Sequence, residues 1–266
     1  MKVLLKRLYQ LFIFVSLTIV TQIGGVIYLV SLLIFIKWDK DFRFKKLILF
    51  LGLYTIATFL ITPFIAPIFG REKIKHTNKI KPTNYMTVFL NRNYVKSDLN
   101  KLLQNTENQL HNTAIEIHYL DASFPFIDRF PLLPHLSHQD GKKIDISLIY
   151  ETKEGEITNK QKSISGYGVF AKPKLSEHNQ INTCLKKGYF FYDYPKYMTF
   201  GEINKNLIFS EKGTKKLLKR LLKNNELGKM FIEPHLKQRL RLTNNKVRYH
   251  GCRAVRHDDH IHVQLK

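Results

Sequence analysis

The chain has 266 residues and carries 43 Lys and Arg against 21 Asp and Glu, a formal net charge of +22. A surplus of this size favours an anionic partner such as acidic lipid headgroups, nucleic acid or an anionic cell-wall polymer. We expect no nucleic-acid partner, because the lysines are spread along the chain and no DNA- or RNA-binding motif is present.

Two long apolar stretches lie near the N-terminus. Leu11 to Ile36 and Leu47 to Phe69 contain no charged residue. About 20 apolar residues cross the hydrocarbon core of a bilayer, so each stretch is long enough to span it. The first is too long for the apolar region of a signal peptide, and no small-residue cleavage site follows it. We therefore predict a transmembrane hairpin over residues 1–70, integral to a membrane, with two helices at about 11–36 and 47–69.

Residues 71–83 are basic and polar and are predicted to be a linker. From residue 84 the pattern is globular, with alternating apolar residues that predict strands and serines that predict helix starts. These residues are Ile115, Ile117 and Tyr119, then Ile144 and Ile146, and the serines Ser97 and Ser210. Without a regular βαβ repeat, the mixture favours an α+β domain over 84–266 with a largely antiparallel sheet.

The end of the chain is rich in histidine. The segment His260 to Leu265 alternates between polar and apolar residues, so a strand would place His260 and His262 side by side on one face. Two adjacent imidazoles suit a metal, or one metal ligand beside one general base. His257 precedes them closely.

A second cluster runs from Ser137 to Asp145. Asp145 alternates with Ile144 and Ile146, so its carboxylate leaves the apolar face, and His138 lies seven residues earlier across a turn. Together with the last histidine, these two residues would supply two imidazoles and one carboxylate. A catalytic zinc site has three such ligands and one open position.

These two clusters, with Lys229–Pro234 and Lys246–Arg248, resemble the zinc peptidases grouped with lysostaphin, D-Ala-D-Ala peptidases and the hedgehog signalling domain. Within that group the chain most resembles the penicillin-insensitive murein endopeptidases. The resemblance covers about the last 150 residues. It implies that His138, Asp145 and His262 are zinc ligands. It also implies that His260 is the general base or stabilises the transition state, with His257 a second candidate.

The resemblance further implies a zinc metallopeptidase that hydrolyses amide bonds in the peptide cross-links of peptidoglycan. The domain is then expected to face the periplasm or cell wall from the bacterial inner membrane. That places the N-terminus outside and the basic loop at 37–46 inside, although the flanking charges alone are nearly balanced. Arg248, Arg253 and Arg256 are candidates for binding the carboxylates of the stem peptide.

Two alternatives stay open. A D-Ala-D-Ala carboxypeptidase or dipeptidase usually carries a glutamate three residues before the final histidine ligand, whereas this chain has Asp259 there. A zinc-stabilised binding module without catalysis, as in hedgehog, would carry the same ligands. Cys184 and Cys252 allow at most one internal disulfide, and their spacing does not decide whether they pair.

Overall fold

The computed structural model describes residues 2–36 and 44–266. Contacts among the described residues divide the chain into two compact units. The first comprises Met1–Ile74, Met86–Lys96 and Ser123–Gly141, and the second comprises Lys75–Tyr85, Ser97–Ala122 and Lys142–Lys266.

The first unit is built mainly on N-terminal helices. Helices α1 (Lys2–Thr21), α2 (Gly24–Ile36) and α3 (Lys45–Ile56) come first, and α3 continues through a π-helical turn (Ala57–Ile61), α4 (Thr62–Ile65) and a 3-10 turn (Ala66–Phe69). Short strands β1 (Glu72–Lys73) and β3 (Tyr94–Val95) pair in antiparallel fashion. A small core forms where Ile23, Tyr54 and Ala57 meet Phe89 and Phe126.

The prediction of one continuous helix over 11–36 is wrong. The chain turns at Gln22, whose φ is 66°, and α2 folds back along α1. The two backbones approach closely at Gly24 and Gly25, and a Cβ on Gly25 would lie 1.9 Å from the Thr18 hydroxyl oxygen. Glycine is needed there because any side chain would separate the helices. Of the predicted loop at 37–46, residues 37–43 lie outside the described residues.

Two helical segments, Lys2–Thr21 and Lys45–Phe69, are long and apolar enough to cross a membrane. None of the most apolar window of the first is buried, which is unlike the core helix of a soluble protein. Helix α2 has 13 residues and is therefore only about 20 Å long, too short to cross a bilayer core of about 30 Å.

A six-stranded sheet, ordered β10-β9-β11-β5-β4-β2, forms the centre of the second unit. Its strands are β2 (Ile80–Pro82), β4 (Ile117–Asp121), β5 (Lys143–Ser147), β9 (Leu227–Phe231), β10 (Val247–Arg248) and β11 (His260–Leu265). The four central strands pair antiparallel, and both edge pairs, β10 with β9 and β2 with β4, are parallel. The α+β prediction is confirmed, and the sheet is mixed, with an antiparallel centre.

Helices α6 (Ser97–Gln109) and α8 (Glu211–Leu221) carry leucine stripes that are buried. The other elements are α5 (Tyr85–Phe89), α7 (Gln180–Lys186), a 3-10 helix (Phe190–Tyr197), α9 (Pro234–Arg239) and a small sheet of β6 (Tyr150–Glu151), β7 (Ile157–Thr158) and β8 (Ile208–Phe209). Ser210 caps α8 as predicted, since its hydroxyl accepts a hydrogen bond from the Gly213 amide at 3.1 Å.

The structure also describes the segment at 71–83 and the pairing of the two cysteines. The predicted linker at 71–83 is wrong, because β1 and β2 belong to folded sheets. Cys184 and Cys252 form a disulfide across 68 residues of sequence. The bond joins α7 to the segment that precedes the terminal histidines.

Candidate metal centre

Strands β5 and β11 place two of the predicted ligands opposite each other. In the antiparallel register, His262 pairs with Asp145 and His260 pairs with Ser147. Ile144, Ile146, Ile261 and Val263 point to the other face and are fully buried in the core. The alternation read from the sequence is therefore confirmed, and the sheet itself fixes the spacing of the polar side chains.

Among the described residues, His138, Asp145 and His262 form a group that can hold a metal ion. Each offers one ligand atom, and these atoms lie within 4.8 Å of one another. The three residues are between 1% and 3% exposed. Burial strengthens the attraction between a cation and the carboxylate, because little water screens the charges.

The two oxygens of Asp145 have different neighbours. Oδ1 lies 2.8 Å from Nδ1 of His262, and Oδ2 accepts a hydrogen bond from the hydroxyl of Tyr167 at 2.8 Å. Nε2 of His260 lies 3.7 Å from the same Oδ2. The carboxylate is thus held from several sides, so its orientation is defined before any ion binds.

His260 is held by its own carboxylate partner. Its Nδ1 lies 2.6 Å from Oδ1 of Asp259, whose Oδ2 accepts a hydrogen bond from the Gly168 amide at 2.7 Å. Burial lowers the pKa of His260, but the negative charges of Asp145 and Asp259 outweigh it and raise the pKa to about 9. A cation bound at Asp145 would oppose this rise.

His257 lies in a different electrostatic setting. Its ring centroid is 4.8 Å from that of His260 and 5.8 Å from that of His262. Burial, followed by the charges of the neighbouring imidazoles, lowers its pKa well below the ordinary value. The lowered pKa favours the neutral form of the His257 imidazole.

A buried network supports the backbone that carries these histidines. The His257 amide donates to Oε1 of Glu233 at 3.0 Å, and the Tyr192 hydroxyl donates to Oε2 of the same carboxyl at 2.6 Å. Burial and the charge of Asp258 raise the pKa of Glu233 to about 7. The network therefore holds the backbone at His257 in place.

The three candidate arginines differ in their surroundings. Arg248 and Arg253 are exposed, and their predicted role in binding peptide carboxylates stays a prediction. Arg256 is only 5% exposed. Its guanidinium binds both oxygens of Asp258 at 2.7 and 2.6 Å and donates to Asp193 at 2.7 Å. The guanidinium is thus already paired with two carboxylates. We therefore do not retain Arg256 as a candidate for binding substrate carboxylates.

Sequence reasoning missed three residues near the site. Tyr167 binds Asp145, Glu233 binds the His257 backbone, and the exposed His250 stacks on Phe231 at 4.1 Å, with its ring 5.3 Å from that of His257. The glycines that flank Tyr167 signalled a turn, but nothing in the sequence indicated which residue that turn would meet.

The donor set fits zinc. Two imidazoles and one carboxylate are the ligands of several catalytic zinc sites, and a fourth position is left for water or substrate. A search of protein-family models and of curated proteins finds none that matches this chain.

Proposed function

We propose that this chain is a membrane-anchored zinc metallopeptidase that hydrolyses amide bonds in the peptide cross-links of peptidoglycan. The observation that carries the proposal is the group His138, Asp145 and His262, whose ligand atoms converge within 4.8 Å beside an oriented imidazole, that of His260. The substrate class rests on the sequence resemblance to the murein endopeptidases. The strongly basic chain supports it, because such a surface attracts an anionic wall.

The chemistry is addition of water to the amide carbonyl, followed by cleavage of the C–N bond and protonation of the leaving amine. When bound, zinc supplies a Lewis acid that polarises the carbonyl and acidifies water. A cation held at Asp145 would lower the raised pKa of His260. The neutral ring, whose Nε2 lies on the side of Asp145, would then accept the proton of the attacking water and return one to the amine. Asp259 holds the ring in this orientation through Nδ1.

The disulfide supports a location outside the cytoplasm. Disulfides persist in oxidising compartments such as the periplasm and the cell surface, whereas cytosolic thiols are kept reduced. Cys184 and Cys252 are bonded, and no free cysteine exists in the chain. A domain with this bond fits the side of the membrane where peptidoglycan lies.

The helical turn at Gln22 supports the same side. Because α2 folds back along α1, the N-terminus and the start of α3 meet at one end of the helices, where Lys6 and Lys46 line a common cavity of about 510 Å³. Among the described residues, Lys2, Arg7 and Lys45 lie next to these two lysines in sequence, so this end is basic.

The positive-inside rule then assigns that basic end to the cytoplasm. If Lys45–Phe69 crosses the bilayer from that end, the chain after Gly70 continues outside the cytoplasm. We propose this orientation in place of an outer N-terminus.

One observation favours a second candidate function, a zinc-stabilised binding module. All the proposed ligands and His260 are at most 3% exposed, which restricts access for a polymer. Closed structural zinc sites, however, use four protein ligands, whereas three residues form the group found among the described residues. The number of ligands therefore favours catalysis, and product analysis separates the two candidates.

The test is digestion of purified, cross-linked peptidoglycan by the full chain in detergent, with added zinc and with a chelator. Muropeptide chromatography reads the products. We expect zinc-dependent conversion of cross-linked dimers to monomers, and loss of that conversion in His262→Ala. The matched control is His111→Ala, which removes an exposed histidine in the loop after α6 and leaves conversion unchanged.

Unchanged dimers in the presence of bound zinc would overturn the endopeptidase proposal and favour the binding module. Release of terminal D-alanine without loss of cross-links would instead identify a carboxypeptidase.

A further inference from the structure

A buried tyrosine hydroxyl contacts the only carboxylate among the proposed ligands. Tyr167 is 6% exposed, and its hydroxyl donates to Oδ2 of Asp145 at 2.8 Å. The other oxygen, Oδ1, faces His262. The hydroxyl therefore binds one oxygen of the carboxylate, and the second oxygen is left beside His262.

The backbone around Tyr167 is fixed by two glycines. Gly166 and Gly168 have φ of 86° and 81°, a region that disfavours residues with a side chain. A Cβ on Gly166 would lie 1.8 Å from Leu120 Cδ2, and one on Gly168 would lie 2.5 Å from the Pro195 carbonyl oxygen. Both positions therefore require glycine for space as well as for conformation.

Two serines close the same turn, which we name the Tyr167 turn (residues 163–168). The Ser163 hydroxyl donates to the Tyr167 carbonyl at 2.7 Å, and the Tyr167 amide donates to the Ser165 hydroxyl at 3.0 Å. These bonds satisfy the backbone on both sides of the ring. The position of the tyrosine hydroxyl is thus set by local structure.

The Tyr167 turn also reaches the proposed proton-transfer residue. The Gly168 amide donates to Asp259, which holds Nδ1 of His260. The ring of Tyr167 meets that of His260 edge to face, with centroids 5.0 Å apart and planes at 77°. One short segment thereby contacts a ligand and the group expected to move protons.

We infer that Tyr167 is a positioning residue of the metal site, and that the Tyr167 turn sets the relative orientation of Asp145 and His260. This inference rests on the proposed metal site. Hydrogen bonds to metal ligands fix their orientation and tune their strength, and removing such a partner typically weakens metal affinity about 10- to 100-fold. A tyrosine that only filled space would not change metal affinity when its hydroxyl is removed.

The test is Tyr167→Phe in the full chain, with zinc affinity measured by competition against a chromophoric chelator. We expect zinc to bind about 10- to 100-fold more weakly, with the Co²⁺ absorption spectrum altered and the thermal unfolding of the metal-free chain close to wild type. The matched control is Tyr119→Phe, which deletes another buried hydroxyl, bonded to His76 at 2.7 Å, on the neighbouring strand β4. Its zinc affinity stays unchanged.

A second variant keeps the hydroxyl and moves the turn. Gly168→Ala places a Cβ against the Pro195 carbonyl, so it should also weaken zinc binding. Wild-type affinity in both Tyr167→Phe and Gly168→Ala would overturn the inference while leaving the proposed function intact. A wild-type chain that binds no zinc or cobalt would overturn both.

Discussion

Asp145 and His262 are direct partners across two neighbouring strands, and Oδ1 of the first lies 2.8 Å from Nδ1 of the second. The sheet therefore brings together residues that are 117 positions apart in sequence. Because both strands lie in the antiparallel centre of the sheet, the geometry of this pair is rigid. Two candidate ligands on neighbouring strands would need little reorganisation if an ion binds.

The first prediction separates the two candidate catalytic histidines. His260→Ala should reduce kcat for cross-link hydrolysis by about 100- to 10,000-fold, because it removes the imidazole beside Asp145, while bound zinc is retained. His257→Ala should reduce kcat less, since within residues 2–36 and 44–266 no carboxylate orients its ring as Asp259 orients that of His260. Steady-state kinetics with parallel metal analysis measures both. Equal losses in the two variants would contradict the assignment.

The second prediction concerns the pH dependence of stability. Burial and Asp258 raise the pKa of Glu233 from 4.5 to about 7, so between these values the folded state keeps a proton that the unfolded state has lost. The stability contributed by Glu233 therefore falls as pH rises through this window. Glu233→Gln has no such ionisation, so its stability relative to wild type should rise by on the order of 3 kcal/mol between about pH 4 and 8.

Chemical denaturation of the metal-free chain at several pH values measures this difference. A constant offset between Glu233→Gln and wild type at all pH values would show that Glu233 ionises normally. Glu156→Gln, which removes an exposed carboxyl, is the control and should follow wild type closely.

The third prediction concerns the disulfide. It closes a loop of 68 residues, and loop-closure entropy predicts that a Cys184→Ser, Cys252→Ser double variant loses about 4 kcal/mol of unfolding free energy. The midpoint of denaturant unfolding measures the loss. In cells, maleimide should label the wild-type cysteines only after reduction. Labelling without a reductant would contradict an oxidising location.

The fourth prediction concerns membrane orientation. A cysteine introduced by Lys2→Cys should resist a membrane-impermeant maleimide in intact spheroplasts, whereas one introduced by Lys266→Cys should react. The native cysteines stay silent because they are bonded to each other. The opposite pattern of labelling would reverse the orientation, and labelling at both positions would require the N-terminus to be outside.

The sequence predicted which face of the sheet carries Asp145, His260 and His262, because side chains alternate regularly along a strand. Alternation along His260–Leu265 and around Asp145 was enough to place each polar side chain on the face away from the core. The strand pairing of Asp145 with His262 needed the tertiary fold, and only the resemblance to a known site joined the two clusters in advance.

The prediction of one helix over 11–36 was wrong because the turn lies inside an apolar stretch. Gln22, Gly24 and Gly25 lie within a continuous apolar stretch, so hydropathy alone predicts one uninterrupted helix there. The turn is stabilised locally, since the Thr21 hydroxyl accepts a hydrogen bond from the Gly24 amide at 2.8 Å. A residue far away in sequence also stabilises the turn, because the Gln22 side chain accepts a hydrogen bond from the Phe126 amide at 2.8 Å.

Tyr167 was missed for a related reason. It lies 22 residues from Asp145, in a turn with no periodic pattern, and its role depends on where the hydroxyl points. The partners of Arg256 could not be foreseen from the sequence either. A terminal arginine looks available for substrate, but Asp193 lies 63 residues earlier in the sequence, and this distant carboxylate binds the guanidinium.

The measurement that tests the metal site most directly is the zinc content of the purified full chain after equilibration in a zinc-buffered solution. One zinc per chain is predicted for wild type, and none for His138→Ala, Asp145→Ala or His262→Ala, with each variant still folded by circular dichroism. A wild-type chain without zinc, or one zinc retained when Asp145 and His262 are both replaced, would contradict the site.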